Sequence, residues 1–533
     1  MKIKIQLFTL ALVATLVSCN DFLDINKDPN NPTQAQLNTI LPFVEANIFG
    51  AYGIGTAGIS EILSVYVHQT VQRGNQDDYK VQGNEFSLRE CWDHTYTVIL
   101  TDLNQLIKQG DEEGRFVYSG IAKVLKAQVF SLAVDLWGDI PYSEAGDPTQ
   151  FLFPHFDDDA SVYASLFALV DEGIADLNAG GVPPGSDDIV YAGNIGKWLA
   201  YANSLKLNMY NKVRLTGLYD AAKVNALMAG DLISNASGDF EFRYNTSITP
   251  ENRNPGFIRE YAQGDPQYYI SPYFYYLMKG EQACQNTRMV GISDPRMPYY
   301  FYNQLNDSEE PQANFSLRDG NFLSIWFGSF DRDPNEGFGQ NISQTVVGLY
   351  PVGGAYDNGS GATATGDSGL KGAGAQRIMT AADVDFIRAE LVLTAGANGN
   401  AEALFRNAML KAFAKVNLVA TSAGAPLISD TDRDTYIDAV MAAYQAGSDA
   451  EKLELLMTQK WIQAFGFAIE SYNDIRRTGY PQVCDPFQDA NEYSIQTNPY
   501  PVSLFYSTND ITNNRNSPGQ RNPYTDKVFW DAN

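Results

Sequence analysis

Apolar side chains recur three and four positions apart along much of the chain, the spacing that lines one face of a helix. Ile121, Val124, Leu125, Val129, Leu132 and Leu136 form one such stripe. Val162, Leu166, Leu169 and Ile174 lead a second, and Leu199, Ala202, Leu205, Leu207 and Val213 a third. Val384, Ile387, Leu391 and Leu393 lie on a fourth, 401–413 reads as a short fifth, and Leu453, Met457, Trp461, Ala464 and Ala468 run towards Glu470. The predicted helices fall into consecutive pairs: 93–110 with 115–137, 159–179 with 196–215, 381–395 with 400–415, and 434–445 with 450–470. Between the second and third pairs the pattern breaks. From Phe257 to Phe330 there are 17 aromatics in 74 residues, about twice the 12% of the whole chain. They come in bursts separated by Gly, Pro and Asn, and 353–375 is rich in Gly.

Paired helices with small residues such as Ala389, Gly396 and Ala401 at the crossings resemble degenerate tetratricopeptide repeats. The expected fold is therefore all-α: about four such helix pairs packed against a large irregular, aromatic-rich loop region. The division read from the sequence is 1–18 signal peptide, 19–33 tether, 34–215 N-terminal repeats, 216–380 irregular insertion, 381–480 C-terminal repeats and 481–533 a loop-rich tail packing on the body. Composition agrees with a folded body. Of 533 residues, 44% are hydrophobic, which excludes a disordered chain. The 63 acidic against 37 basic residues give a net charge of −26, which disfavours nucleic acid as a partner.

The N-terminus carries Lys2 and Lys4, then an apolar run from Ile5 to Val17, far short of the ~20 residues that span a bilayer. It reads as an export signal, and no later stretch is apolar for long enough to span. Leu16-Val17-Ser18-Cys19 resembles the lipobox of bacterial lipoproteins, which implies lipidation of Cys19 by diacylglycerol and a fatty acyl group such as palmitate. Cys91, Cys284 and Cys484 are far apart and are expected as buried, inert thiols.

Catalytic constellations are missing. His68, His94 and His155 show no metal-ligand or triad spacing. Gly53-Ile54-Gly55-Thr56-Ala57-Gly58 follows a helical pattern and not a strand, so it is not a dinucleotide loop. Asp430, Asp432, Asp434 and Asp438 mimic part of a calcium loop without its Gly and Glu, and Asp434 is expected to cap a helix beginning at Tyr436. No metal and no cofactor are expected. Aromatic and amide side chains do stand out in 216–380. Sugars offer apolar C–H faces, on which Tyr and Trp stack, and hydroxyl rims, which Asn, Gln, Asp and Arg can bond.

Several segments in order resemble the SusD/RagB family of outer-membrane lipoproteins, in its SusD-like second branch. They are Cys19-Asn20-Asp21-Phe22-Leu23-Asp24; Trp92, Tyr96 and Asn104; Leu136-Trp137-Gly138-Asp139-Ile140-Pro141-Tyr142; Asp294-Pro295-Arg296; Arg388-Ala389-Glu390; Gln459-Lys460-Trp461; and Arg476-Arg477-Thr478-Gly479-Tyr480-Pro481. Gly138 and Pro141 suit a helix stop, and Arg476 and Arg477 suit carboxylates held between repeats. The resemblance implies a non-enzymatic receptor, lipid-anchored in the outer membrane and facing outward. Such a receptor captures oligosaccharides and passes them to a SusC-like TonB-dependent transporter. Oligopeptides are the alternative cargo, and a surface glycan hydrolase is a remoter reading. By position, the ligand residues implied are Trp92, Tyr96, Tyr299, Tyr300 and Trp326, with Arg73, Asp77 and Asp78 as polar partners.

Overall fold

The computed structural model describes residues 35–55, 58–72, 79, 81–264, 266, 268–305, 317–328, 340–484 and 498–533. The longer helices are α1 (Leu37–Tyr52), α2 (Ser60–Tyr66), α3 (Phe86–His94), α4 (Leu100–Glu112), α5 (Phe116–Trp137), α6 (Asp159–Ala179), α7 (Ile195–Lys212), α8 (Ala221–Met228) and α9 (Pro272–Lys279). After the loop region come α10 (Ala381–Ala395), α11 (Ala401–Ala423), α12 (Asp430–Ala446), α13 (Asp449–Gln463) and α14 (Ala468–Thr478). A π-helical turn, Thr95–Ile99, joins α3 to α4. The fold is all-α with tetratricopeptide-like packing, and its strands are short two-stranded ribbons.

Side-chain caps set many helix starts by accepting otherwise unpaired N–H groups. Asp158 caps α6, Asn194 caps α7 and Asn400 caps α11. Reciprocal capping boxes, Thr380 with Asp383 and Ser448 with Glu451, open α10 and α13. Glycines at left-handed dihedrals close α10, α11 and α14. Gly138 ends α5 at φ +71°, as the helix-stop reading of Gly138-Asp139-Ile140-Pro141 expects.

Three sequence expectations change. α12 begins at Asp430 and is capped by Ser429, whose Oγ accepts from Asp432 N–H. Asp434 therefore lies inside the helix, and the four Asp residues of the calcium-like frame are helical. The segment expected as one helix to Glu470 is broken at 464–467 into α13 and α14. Cys284 and Cys484 are bonded to each other with Cα atoms 5.4 Å apart, so only Cys91 stays a buried thiol. Their separation of 200 residues hid the pairing, because only the folded loops bring them together. The disulfide ties the insertion to the start of the tail, just past the C-terminal repeats. Also against expectation, α5 is long and apolar enough to cross a bilayer, but it lies buried in the protein core.

The backbones of α5 and α6 approach closely where the two helices cross. A Cβ on Gly120 would sit 2.9 Å from the Gly173 carbonyl oxygen and 3.0 Å from Leu177. Gly120→Val is expected to force the helices apart and lower stability by about 1–3 kcal/mol. A thermal melt read by circular dichroism tests this; an unchanged midpoint would show the crossing has slack.

Charged groups join the two sets of repeats through the interior. Asp135 of α5 accepts from Tyr163 Oη at 2.9 Å, Lys212 Nζ at 2.6 Å and Trp530 Nε1 at 2.9 Å. Arg477 of α14 pairs with Glu390 of α10 and with Asp474. Arg476 Nη2 donates to the Asp135 carbonyl at 2.6 Å. Arg477 thus binds carboxylates as expected, whereas Arg476 serves backbone carbonyls and Asn473.

Candidate functional site

Strand β1 (Thr70–Gln72) follows α2 and pairs antiparallel with a strand of the insertion, Tyr268–Ile270, in the register Thr70↔Ile270, Val71↔Tyr269, Gln72↔Tyr268. This ribbon brings the N-terminal part of the chain against the aromatic-rich insertion. A hairpin, Leu317–Asp319 with Phe322–Ser324, sits beside it, and Ser324 Oγ donates to the Ile270 carbonyl at 2.5 Å. Helix α9 supports the hairpin: Tyr275 stacks on Phe322 with ring centres 3.8 Å apart, and Tyr275 Oη donates to Asp319 Oδ2 at 3.0 Å.

Trp326 and Phe327 leave this hairpin at the meeting point of three distant segments. The Phe327 ring lies 4.2 Å from His68 and 5.0 Å from Tyr79. Tyr79 meets Tyr500 of the tail edge to face at 5.5 Å, and Tyr524 Oη donates to the Tyr79 carbonyl at 2.7 Å. His68 and Tyr79 form the buried floor; their side chains hydrogen-bond at 2.7 Å between Nε2 and Oη. Burial lowers the His68 pKa to about 3, so the imidazole is neutral at physiological pH. Trp326, Phe327, Tyr500 and Tyr524 are each half-buried. The result is a group of rings with an apolar floor and partly open edges.

The sequence-predicted site residues divide unequally. Trp326 is half-buried and adjoins Phe327 in the chain. Trp92 is 2% exposed and packs against Tyr96 and Trp137, each 5.1 Å away. Tyr96 is half-buried in the same group, and its hydroxyl is buried. Tyr299 is 3% exposed and donates to the Pro426 carbonyl at 2.6 Å. Tyr300 is fully buried between Tyr350 and Phe465. Trp92, Tyr299 and Tyr300 therefore fill core space between helices and irregular segments, and none presents a free ring face. Arg73, Asp77, Asp78 and Cys19 lie outside the described residues. His68, Tyr79, Phe327 and Tyr500 were not singled out by the sequence. Phe327 adjoins Trp326 and Tyr79 adjoins Asp78, but segments so far apart in the chain carry no sign that they meet.

The shared motif residues hold structure. Arg296 is buried, clasps Asp294 at 2.6 Å and donates to Gln459 Oε1 at 3.1 Å. Trp461 Nε1 donates to the Val67 carbonyl at 3.0 Å, fixing the end of α2. Asp139, Asp158 and Asp159 place their carboxylates together. All three are already engaged there: Asp139 accepts from Asp159 N–H, Asp158 caps α6, and Asp159 accepts from Phe529 N–H.

Solved structures share the fold. A chitin-binding protein aligns at TM-score 0.69 and 20% identity, over 93% of this chain and all of that one. A chitin-binding SusD homologue from Flavobacterium johnsoniae aligns at 0.66 and 18%, over 92% and 99%. A SusD/RagB family protein from Bacteroides thetaiotaomicron aligns at 0.68 and 19%, over 94% and 99%. No curated protein sequence matches the chain. The family SusD-like_2, described as starch-binding and associating with the outer membrane, matches residues 29–501. With that match across nearly the whole chain, and with the helix pairs, insertion and motif contacts in place, the protein belongs to the SusD/RagB family, in its SusD-like_2 branch.

Proposed function

We propose that the protein is a non-catalytic surface receptor that captures oligosaccharides and hands them to a SusC-like TonB-dependent transporter. A lipid on Cys19 holds it to the outer membrane, with 19–33 as the tether. The observation that carries the reading is the convergence of Phe327, Tyr500 and Tyr524 on the buried Tyr79 from three parts of the chain, with half-buried Trp326 next to Phe327 in sequence. Pyranose C–H faces pack well on such rings, and the aromatic bodies need little ordering to do so. Family membership and the chitin-binding descriptions of two solved relatives point the same way. The Cys284–Cys484 disulfide suits an oxidising compartment beyond the cytoplasm.

The test is intrinsic tryptophan fluorescence during titration with a panel of oligosaccharides and oligopeptides. Chito- or malto-oligosaccharides are expected to give a saturable change. Trp326→Ala is expected to weaken binding by at least about 30-fold, the ~2 kcal/mol typical of a central aromatic contact. Binding confined to peptides would overturn the sugar reading. Release of shortened glycans over time would overturn the non-catalytic one.

A further inference from the structure

A groove of about 230 Å³ opens beside another ribbon, and none of the ring-group residues lines it. Its floor is β2 (Phe240–Arg243) paired with Ala375–Met379; Glu241 stands opposite Arg377, and Arg243 opposite Ala375. Helix α11 forms one wall with Leu418 and Val419, and Tyr244 and Leu370 also face the space. The lining is therefore apolar at its sides and charged at its base.

Three cations meet there on two carboxylates, in a chain whose net charge is −26. Lys415 is buried and spent, with Nζ 2.6 Å from Glu241 and 2.7 Å from Asp239. Arg243 touches Glu241 with one nitrogen at 2.8 Å, while its side chain is 69% exposed. Arg377 is 9% exposed, and its Nε has no hydrogen-bond acceptor; the nearest Glu241 oxygen is 3.5 Å away. Burial opposes ionisation of Glu241, but Arg377 and Lys415 outweigh it and hold the carboxyl below its usual range. Glu241 thus stays charged and still leaves guanidinium capacity over. A buried cationic N–H without an acceptor favours an incoming anion, because its desolvation is already complete.

We propose that this groove is a second ligand site, for the carboxylate of an acidic sugar, with Arg243 as the anchoring contact and Tyr244 and Leu418 against the sugar ring. The inference is independent of the ring group at Trp326. It commits to a hexuronate because the groove joins one cationic end to apolar walls, and a bare carboxylate would use only the first.

The experiment is isothermal titration, with saturation-transfer NMR, of the full-length protein with D-galacturonate, D-galactose and acetate. Galacturonate is expected to bind saturably, more tightly than either control. Arg243→Ala removes an exposed side chain and is expected to weaken binding by at least about tenfold, the loss typical of one hydrogen bond to a charged group. Ser422→Trp, which places a large side chain at the groove, is expected to block it. Trp326→Ala is expected to leave galacturonate binding intact, so failure here is distinct from failure at the ring group. The proposal is overturned if galacturonate does not bind, if galactose or acetate binds equally well, or if both groove variants bind as the parent does.

Discussion

Replacing Glu390 with leucine is expected to lower unfolding free energy by about 3–5 kcal/mol, the range for breaking a buried ion pair from one side. Glu390 is fully buried in α10. Its carboxylate takes both terminal nitrogens of Arg477, Asn211 Nδ2 at 2.7 Å and Arg214 Nη1 at 3.3 Å. Leucine would leave two guanidinium groups in the interior without that counter-charge, and only Asp474 would remain beside Arg477. Urea denaturation of the two proteins measures the difference. The double variant Glu390→Leu with Arg477→Met removes both charges and is expected to lose less than the sum of the single losses. A loss below about 1 kcal/mol for Glu390→Leu would show that the repeats do not depend on this pair.

Acidification is expected to destabilise the protein through His68, and His68→Phe to remove that part of the response. Unfolded, the imidazole takes up its proton near pH 6.5; folded, burial holds it neutral down to about pH 3. Between those values the unfolded chain binds the extra proton, so stability falls as pH falls. From pH 7 to 4.5 the His68 contribution amounts to about 2.5 kcal/mol. Burial raises Asp159, Asp383 and Asp510 to about 6, and these act in the opposite direction between about pH 6 and 4. The decisive quantity is therefore the difference between parent and variant across that range. Phenylalanine keeps the packing against Phe327, and loss of the Tyr79 hydrogen bond shifts both pH values alike. Parallel pH curves for the two proteins would refute the assignment.

Helix faces were legible because their signal is local. Apolar stripes and caps lie within a few residues of each other, and they placed α5, α6, α7 and α10 well. Helices with little internal pattern were missed: α2 is buried on all sides, and α8 and α9 are each only eight residues long. Aromatic density located the insertion but could not separate core rings from open ones. Tyr300 and Trp326 look alike in sequence, and only the packing of Phe465 and Tyr350 on Tyr300 distinguishes them. The ring group and the disulfide were illegible for one reason: each joins positions hundreds of residues apart.

Leu504 N–H donates to the Leu136 carbonyl, Trp137 Nε1 donates to the Phe505 carbonyl, and Trp530 completes the coordination of Asp135. The helices that leave the ribosome early thus lack pieces supplied some 370 positions later. Their final packing therefore waits for 504–530, and the last part of the chain to be made locks the first repeats in place.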